Sequence, residues 1–484
     1  MNARRTDETS TRAAETGTRA AETGTRAAET GARAEETGVH AEETGVHAAE
    51  TRAHADEAAR RSRAAGIVAT VAERLSDPET VAAVMARDPR TNHAASLANG
   101  FPSVALLFAE LGTTDPGHRH TAHTMLERAV KEPGDGDVSL HSGLASLAFA
   151  ARANARDAGD YGTLLGQLDD HLSEAARLLS APSNVRDWRH DVITGLAGLG
   201  RYLLMSPATP PDAMRAILRH LVALTDPVEV EGTEVPGWWV MALPWTSMSE
   251  DTAERYRHGH GNLGISHGIP GPLALLALSW KAGLTVPGQR EAMEGIVEWL
   301  LGWSSSDEHG IRWPTTVTMD QHRDRAAGHA GHPGHAGTVA SWCYGLPGIG
   351  RAIQLAGVAL DRPDWTRVAD QAMASLLGRP ARQLQLRSAA LCHGWAGLLQ
   401  VAMRIDADSP DRGGPAARVA ELAAERTLRF FDSGAAFGYR FPISGVLQEG
   451  PGLLEGAAGV ALALHGYATG QAPRTGWDAA LLIA

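Results

Sequence analysis

The chain has 484 residues, 43% of them hydrophobic and 21% charged, with a formal net charge of −12. That length suits two or three domains, or one large domain built from repeats. The acidic balance excludes a general nucleic-acid binder, which would show a basic face, and argues against adhesion to anionic membrane surfaces.

Only two cysteines occur, so a disulfide scaffold is excluded and a reducing cytoplasm is the expected location. No apolar run approaches the ~20 residues of a bilayer span, and no secretory h-region is expected from the polar start. Residues 1–60 are of low complexity: Thr11-Arg-Ala-Ala-Glu-Thr-Gly17 recurs from Thr18 and Thr25 and then decays. The seven-residue period lacks the Leu, Ile or Val of a coiled-coil seam, and a Gly in each copy opposes helix. We therefore expect 1–60 to be a solvated tail, disordered or transiently helical, with a docking arm for a partner enzyme as the alternative. The folded domain is expected over 61–484.

Beyond the tail the pattern is helical. Apolar residues recur at three- and four-residue spacing over 67–87, 167–179, 213–224, 291–303, 365–377 and 416–431. Residues 228–243 alternate instead and read as a small β-rich excursion. A recurring Gly-x-x-[Gly/Ser] followed by an apolar helix occurs at Gly100, Gly143, Gly195, Gly268, Gly345, Gly394 and Gly456, at intervals of 43 to 77 residues. Each interval has room for two helices. Helices apolar nearly all round are buried ones, and glycines at their starts permit close backbone approach and positive φ. The expected fold is therefore all-α: about seven helical hairpins closing into an α/α toroid, with a small β-containing insertion. An open solenoid is the alternative. In a toroid the inner helix N-termini gather at one end, with free N–H groups and positive dipole ends.

Both cysteines fall at these motifs, in Trp342-Cys-Tyr-Gly345 and Leu391-Cys-His-Gly394. Cys343, Cys392 and His393 form a Cys₂His set, the pattern of a catalytic zinc with an open fourth position. Two unrelated buried thiols are the alternative. His267 directly precedes Gly268, and Asp191 stands four residues before Gly195. A histidine beside a metal–thiolate centre suits acid/base work near neutral pH; singly, each of these side chains could be a cap or a satisfied core group. His141, at a similar offset, reads as packing. The run from Gly328 to Gly337, rich in His and Gly, reads as a mobile loop.

These motifs together resemble the LanC-like lanthionine cyclases over about residues 65–484. The resemblance implies an α/α toroid and one zinc held by Cys343, Cys392 and His393. It implies His267 as the acid/base residue with Asp191 beside it, and Tyr344 as a further catalytic residue. The family often carries Arg four residues before the first zinc cysteine; here Val339 stands there, and Arg323 or Arg325 are candidates to replace it. The implied reaction is intramolecular Michael addition of a peptide cysteine thiol to dehydroalanine or dehydrobutyrine, giving (methyl)lanthionine. The implied partners are a dehydrated precursor peptide, a separate dehydratase and a transporter in a modification complex. Three other readings stand beside this one: glutathione addition to dehydrated residues, a non-catalytic zinc scaffold, and a toroidal glycosidase using Asp191 and Glu455.

Overall fold

The computed structural model describes residues 52, 54–87, 93–131, 137–157, 159–181, 188–241, 250–328, 339–443 and 445–484. The tail repeats and nearly all of the His/Gly run lie outside the described residues. Contacts divide the chain after Arg60. Residues 54–60 are helical, where the sequence reading had placed tail; the last repeat glycine is Gly45, and Ala, Arg and Glu take over from there.

Within Arg61–Ala484 seven buried helices start at or just after the seven glycines. They are α1 (Phe101–Leu111), α2 (Leu144–Asn154), α3 (Leu196–Met205), α4 (Pro270–Lys281), α5 (Leu346–Leu360), α6 (Trp395–Asp408) and α7 (Ala457–Thr469). Every residue of α1 is buried. Each inner helix packs on the next, and α7 packs back on α1. That contact closes the α/α toroid and removes the open solenoid. Amphipathic helices alternate with the inner ones along the chain: 61–75, His118–Lys131, Gly162–Leu179, Pro211–Ala223, Gln289–Gly302, Pro363–Leu377 and Pro415–Arg429. The helix expected over 67–87 is two helices. Asp77 accepts from Glu79 N and Thr80 N and caps Pro78–Met85, with Pro78 in the first turn.

The β-rich excursion is a hairpin, Pro227–Val230 paired antiparallel with Thr233–Pro236. Its turn residues Glu231 and Gly232 both have positive φ, the signature of a type I′ turn. Three more two-stranded pairs went unseen in the sequence, because three-residue strands are too short to show alternation. One of them joins His260–Asn262 to Thr316–Thr318.

A seven-residue loop precedes each inner helix and closes on its glycine. The residue after the glycine donates its N–H to the carbonyl seven positions earlier in all seven repeats, from 2.7 Å for Leu144 on Asp137 to 3.2 Å for Leu346 on Val339. This closure, rather than positive φ, is what needs glycine: among the seven only Gly345 has positive φ, at 97°. A Cβ on Gly143 would lie 2.2 Å from Asp137 O.

Residues 476–484 fill the centre of the ring. His141 Nε2 meets Ala480 O at 3.0 Å, Trp342 Nε1 donates to Leu481 O at 2.9 Å, and Arg351 Nε donates to Ile483 O at 2.8 Å. Arg404 and Gln400 both donate to the buried Asp478 carboxylate. A segment held from three repeats around the ring can only be central.

Gly143→Ala should cost about 1–3 kcal/mol of stability, as overpacking does. Gly66→Ala, on a helix with nothing within 4 Å of the new methyl, should gain up to ~1 kcal/mol. Urea unfolding of both variants measures this, and a Gly143→Ala protein as stable as the parent would contradict the closure argument.

Candidate metal centre

The loops before the inner helices are bonded to one another across the repeats. Val192 N donates to Ser266 O at 2.9 Å, Ser266 N to Cys343 O at 3.5 Å, and Cys343 N to Cys392 O at 3.3 Å. The chain continues from Cys392 N to Leu454 O at 3.0 Å, Leu454 N to Ala98 O at 3.1 Å, and Ala98 N to His141 O at 2.9 Å. Six steps of a seven-membered girdle are thus closed by backbone hydrogen bonds. The residue directly before each glycine follows this girdle: Asn99, Ser142, Thr194, His267, Tyr344, His393 and Glu455. All seven are polar and half-buried or exposed, while the glycine after each is buried. They line one mouth of the toroid.

The girdle brings Cys343, Cys392 and His393 together. Their ligand atoms all lie within 4.8 Å of one another, the only such group of His, Cys and acidic side chains among the described residues. Cys343 is buried, Cys392 half-buried and His393 exposed, so the set is open on the mouth side. His393 Nε2 lies 2.9 Å from Glu455 Oε1. Ser341 Oγ lies 3.4 Å from Cys343 Sγ. A hydrogen bond with Cys392 pulls the Cys343 thiol below its ordinary range against the effect of burial, and bonding to Cys343 and then Glu455 raises His393. Two sulfurs and an imidazole, one sulfur already favoured as thiolate, make a donor set suited to zinc, and Glu455 is placed as the carboxylate that orients a ligating histidine.

His267 and Asp191 also meet. His267 Nδ1 lies 2.6 Å from Asp191 Oδ2. Asp191 is fully buried and its other oxygen accepts from Thr194 N at 2.7 Å and Thr194 Oγ1 at 3.2 Å. A buried carboxylate needs such partners. The His267 side chain is 37% exposed and packs against Trp188, ring centroids 5.5 Å apart. Tyr344 follows Cys343 on the girdle, and its hydroxyl accepts from Asn262 Nδ2 at 3.0 Å. Burial raises the Tyr344 phenol above its usual range, so it stays protonated.

Three expectations change. Arg323 does not reach the centre: it donates to Thr233 Oγ1 and Glu231 O. Arg325 donates to Gly302 O and lies over Trp303. The carboxylate pair of a glycosidase is not formed either, since Asp191 is committed to His267 and Thr194 and Glu455 to His393. The sequence named Glu455 only as a glycosidase carboxylate, not as the partner of His393, and did not single out Asn262 or Ser341. For Glu455 the signal was present: it occupies the same place before its glycine as His267 and His393.

A closed ring of seven helix pairs with a Cys₂His group at one mouth defines an α/α toroid with a group that could hold a metal ion. Residues 92–482 match the lanthionine synthetase C-like protein family, and the chain belongs to it. It is similar to the nisin biosynthesis protein NisC of Lactococcus lactis subsp. lactis, with 25% identity over 316 residues, 63% of this chain and 72% of that protein. Its fold is similar to that of nisin cyclase, with a TM-score of 0.68 at 24% identity, covering 84% of this chain and 97% of the other.

The mouth rests on buried histidines. His141 and His260 are both fully buried, and burial pushes each down to about 4. The unfolded chain titrates them near 6.5 and so binds more protons between pH 6.5 and about 4. Stability should therefore be full above pH ~7 and fall as pH drops through that window. His260→Phe should shallow the slope of the urea midpoint against pH; a slope unchanged by the substitution would remove His260 from the effect.

Proposed function

We propose that this chain is a zinc-dependent lanthipeptide cyclase, acting on a dehydrated precursor peptide to form (methyl)lanthionine rings. The observation that carries the reading is the convergence of Cys343, Cys392 and His393 on the same girdle as the His267–Asp191 pair. Cys343, Cys392 and His393 would hold the ion. Bound there, zinc supplies the Lewis acidity that keeps a cysteine thiol of the substrate as thiolate near neutral pH, where a free thiol of pKa ~8.5 is mostly protonated.

In the addition a C–S bond forms at the β-carbon of the dehydro residue, its π bond breaks, and the electron pair at Cα takes up a proton. His267 is the proton donor. Its Nδ1 is occupied by Asp191, which leaves Nε2 to carry the proton towards the mouth. Asp191, buried and held by Thr194, fixes the orientation of the ring. Tyr344, neutral and oriented by Asn262, is placed to donate a hydrogen bond to the substrate. Glu455 orients His393. With Val339 before the first cysteine and both nearby arginines committed elsewhere, no arginine is assigned to the enolate.

The substrate's dehydro residues come from an earlier dehydration of Ser or Thr, so a separate dehydratase acts first, with a transporter following in the same modification complex. No described helix is long and apolar enough to cross a membrane, and we place the reaction in the cytoplasm.

Cys343→Ala and Cys392→Ala should each lower bound zinc and abolish ring formation; a double variant with full zinc content would sink the assignment. Glu455→Gln should weaken zinc affinity by roughly 10–100-fold, the range for partners of metal ligands, read by chelator competition.

His267→Ala should keep its zinc and slow ring formation by ~10²–10⁴. Thiol-blocking mass spectrometry reads the rings, and an unchanged rate would take His267 out of the mechanism.

A further inference from the structure

Six of the seven side chains that precede the inner-helix glycines are engaged. Thr194 and His267 are bonded to Asp191, Tyr344 to Asn262, and His393 to Glu455. Ser142 Oγ donates to Asp137 at 3.1 Å and shares a contact with Ser139. Asn99 differs. Its backbone N–H donates to Ser96 Oγ, but among the described residues its carboxamide has no protein partner. Asn99 is half-buried, between Ala98, which carries the girdle bonds, and the buried Gly100.

We infer that Asn99 binds the backbone of the peptide substrate beside the metal centre. Its placement comes from the repeat. The Asn99 loop has the same seven-residue closure, Phe101 N to Ala94 O at 2.9 Å, and the same girdle position as the loops carrying His267, Tyr344, His393 and Glu455. Its Cβ therefore leaves the loop towards the same mouth. Leu454 N to Ala98 O joins it directly to the Glu455 loop. The Glu455 loop adjoins in turn the loop of Cys392 and His393, so Asn99 stands two loops from these two candidate donors.

The chemistry selects a peptide group. A carboxamide offers N–H donors and a carbonyl acceptor together, matching the C=O and N–H of a backbone amide. The imidazoles, phenol and carboxylate around the mouth each already meet a protein partner. Asn99 thus supplies uniform binding of the chain being cyclised, independent of the side chains it carries.

This inference rests on the cyclase reading, and the test separates the two. Asn99→Ala and the near-isosteric Asn99→Asp are compared with the parent on a synthetic peptide carrying a dehydroalanine and a downstream cysteine. Zinc content and thermal midpoint should be unchanged in both variants. KM should rise roughly two- to tenfold, the range for one neutral hydrogen bond, with kcat little altered. The same loss should appear in direct binding of a fluorescent peptide whose cysteine is replaced by serine. Unchanged KM and binding in both variants overturn the role of Asn99. If the parent forms no ring, the cyclase reading falls, and the binding comparison alone then decides Asn99.

Discussion

The structure depends on backbone hydrogen bonds that run from loop to loop around the toroid mouth. Each inner helix carries a loop that folds back on its own glycine, and six of the seven steps between neighbouring loops are closed by a backbone hydrogen bond. Backbone donors and acceptors buried at a helix entrance must find partners. Here they find them first within the loop and then across the ring. The glycines make the first contact possible, because a Cβ at these positions would meet backbone atoms at 1.8 to 2.5 Å. The small ring this creates brings residues separated by 202 positions, from His393 back to Asp191, to one mouth.

Chemistry is divided among neighbouring repeats. The cysteines come from the loops of α5 and α6, and the His267–Asp191 pair from those of α4 and α3. Tyr344 lies between them in the order of the ring, tied through Asn262 to the loop of His267. The Cys343–Cys392–His393 group and the His267–Asp191 pair thus sit on neighbouring loops. The groups around them have defined partners: Asp191 accepts from Thr194, Glu455 meets His393, and Asn262 holds Tyr344. Such fixed partners are what hold a reactive group in productive geometry.

The other requirement is a floor. Residues 476–484 occupy the centre, and Trp342, next to Cys343, is tied to Leu481 O. Asp478 is fully buried between Gln400 and Arg404. Removing one partner of a buried ion pair costs several kcal/mol, so this anchor resists displacement. The centre of the ring is therefore solid beneath the site, and the cysteines open only towards the mouth.

The seven helix pairs, their starts and the Cys343, Cys392 and His393 set were legible in the sequence because their signals are local. The glycine motif, the apolar run after it and the cysteine before it lie within about one loop and one helix. His267 and Asp191 were legible for the same reason, by their offset from a glycine. What the sequence could not carry was anything that depends on ring closure. The girdle, the packing of α7 on α1 and the central seat of 476–484 join residues hundreds of positions apart, and no periodicity records such pairs. The roles of Glu455 and Asn262 were not legible because a carboxylate or an amide has many uses, and only the meeting with His393 or Tyr344 shows which is in force. Arg323 and Arg325 were near the centre in sequence, yet the folded chain directs them to Thr233 and Gly302. Sequence alone determined the repeat and the place of both cysteines in it; tertiary structure decided which side chains meet, because only the closed ring turns equal offsets before a glycine into neighbours in space.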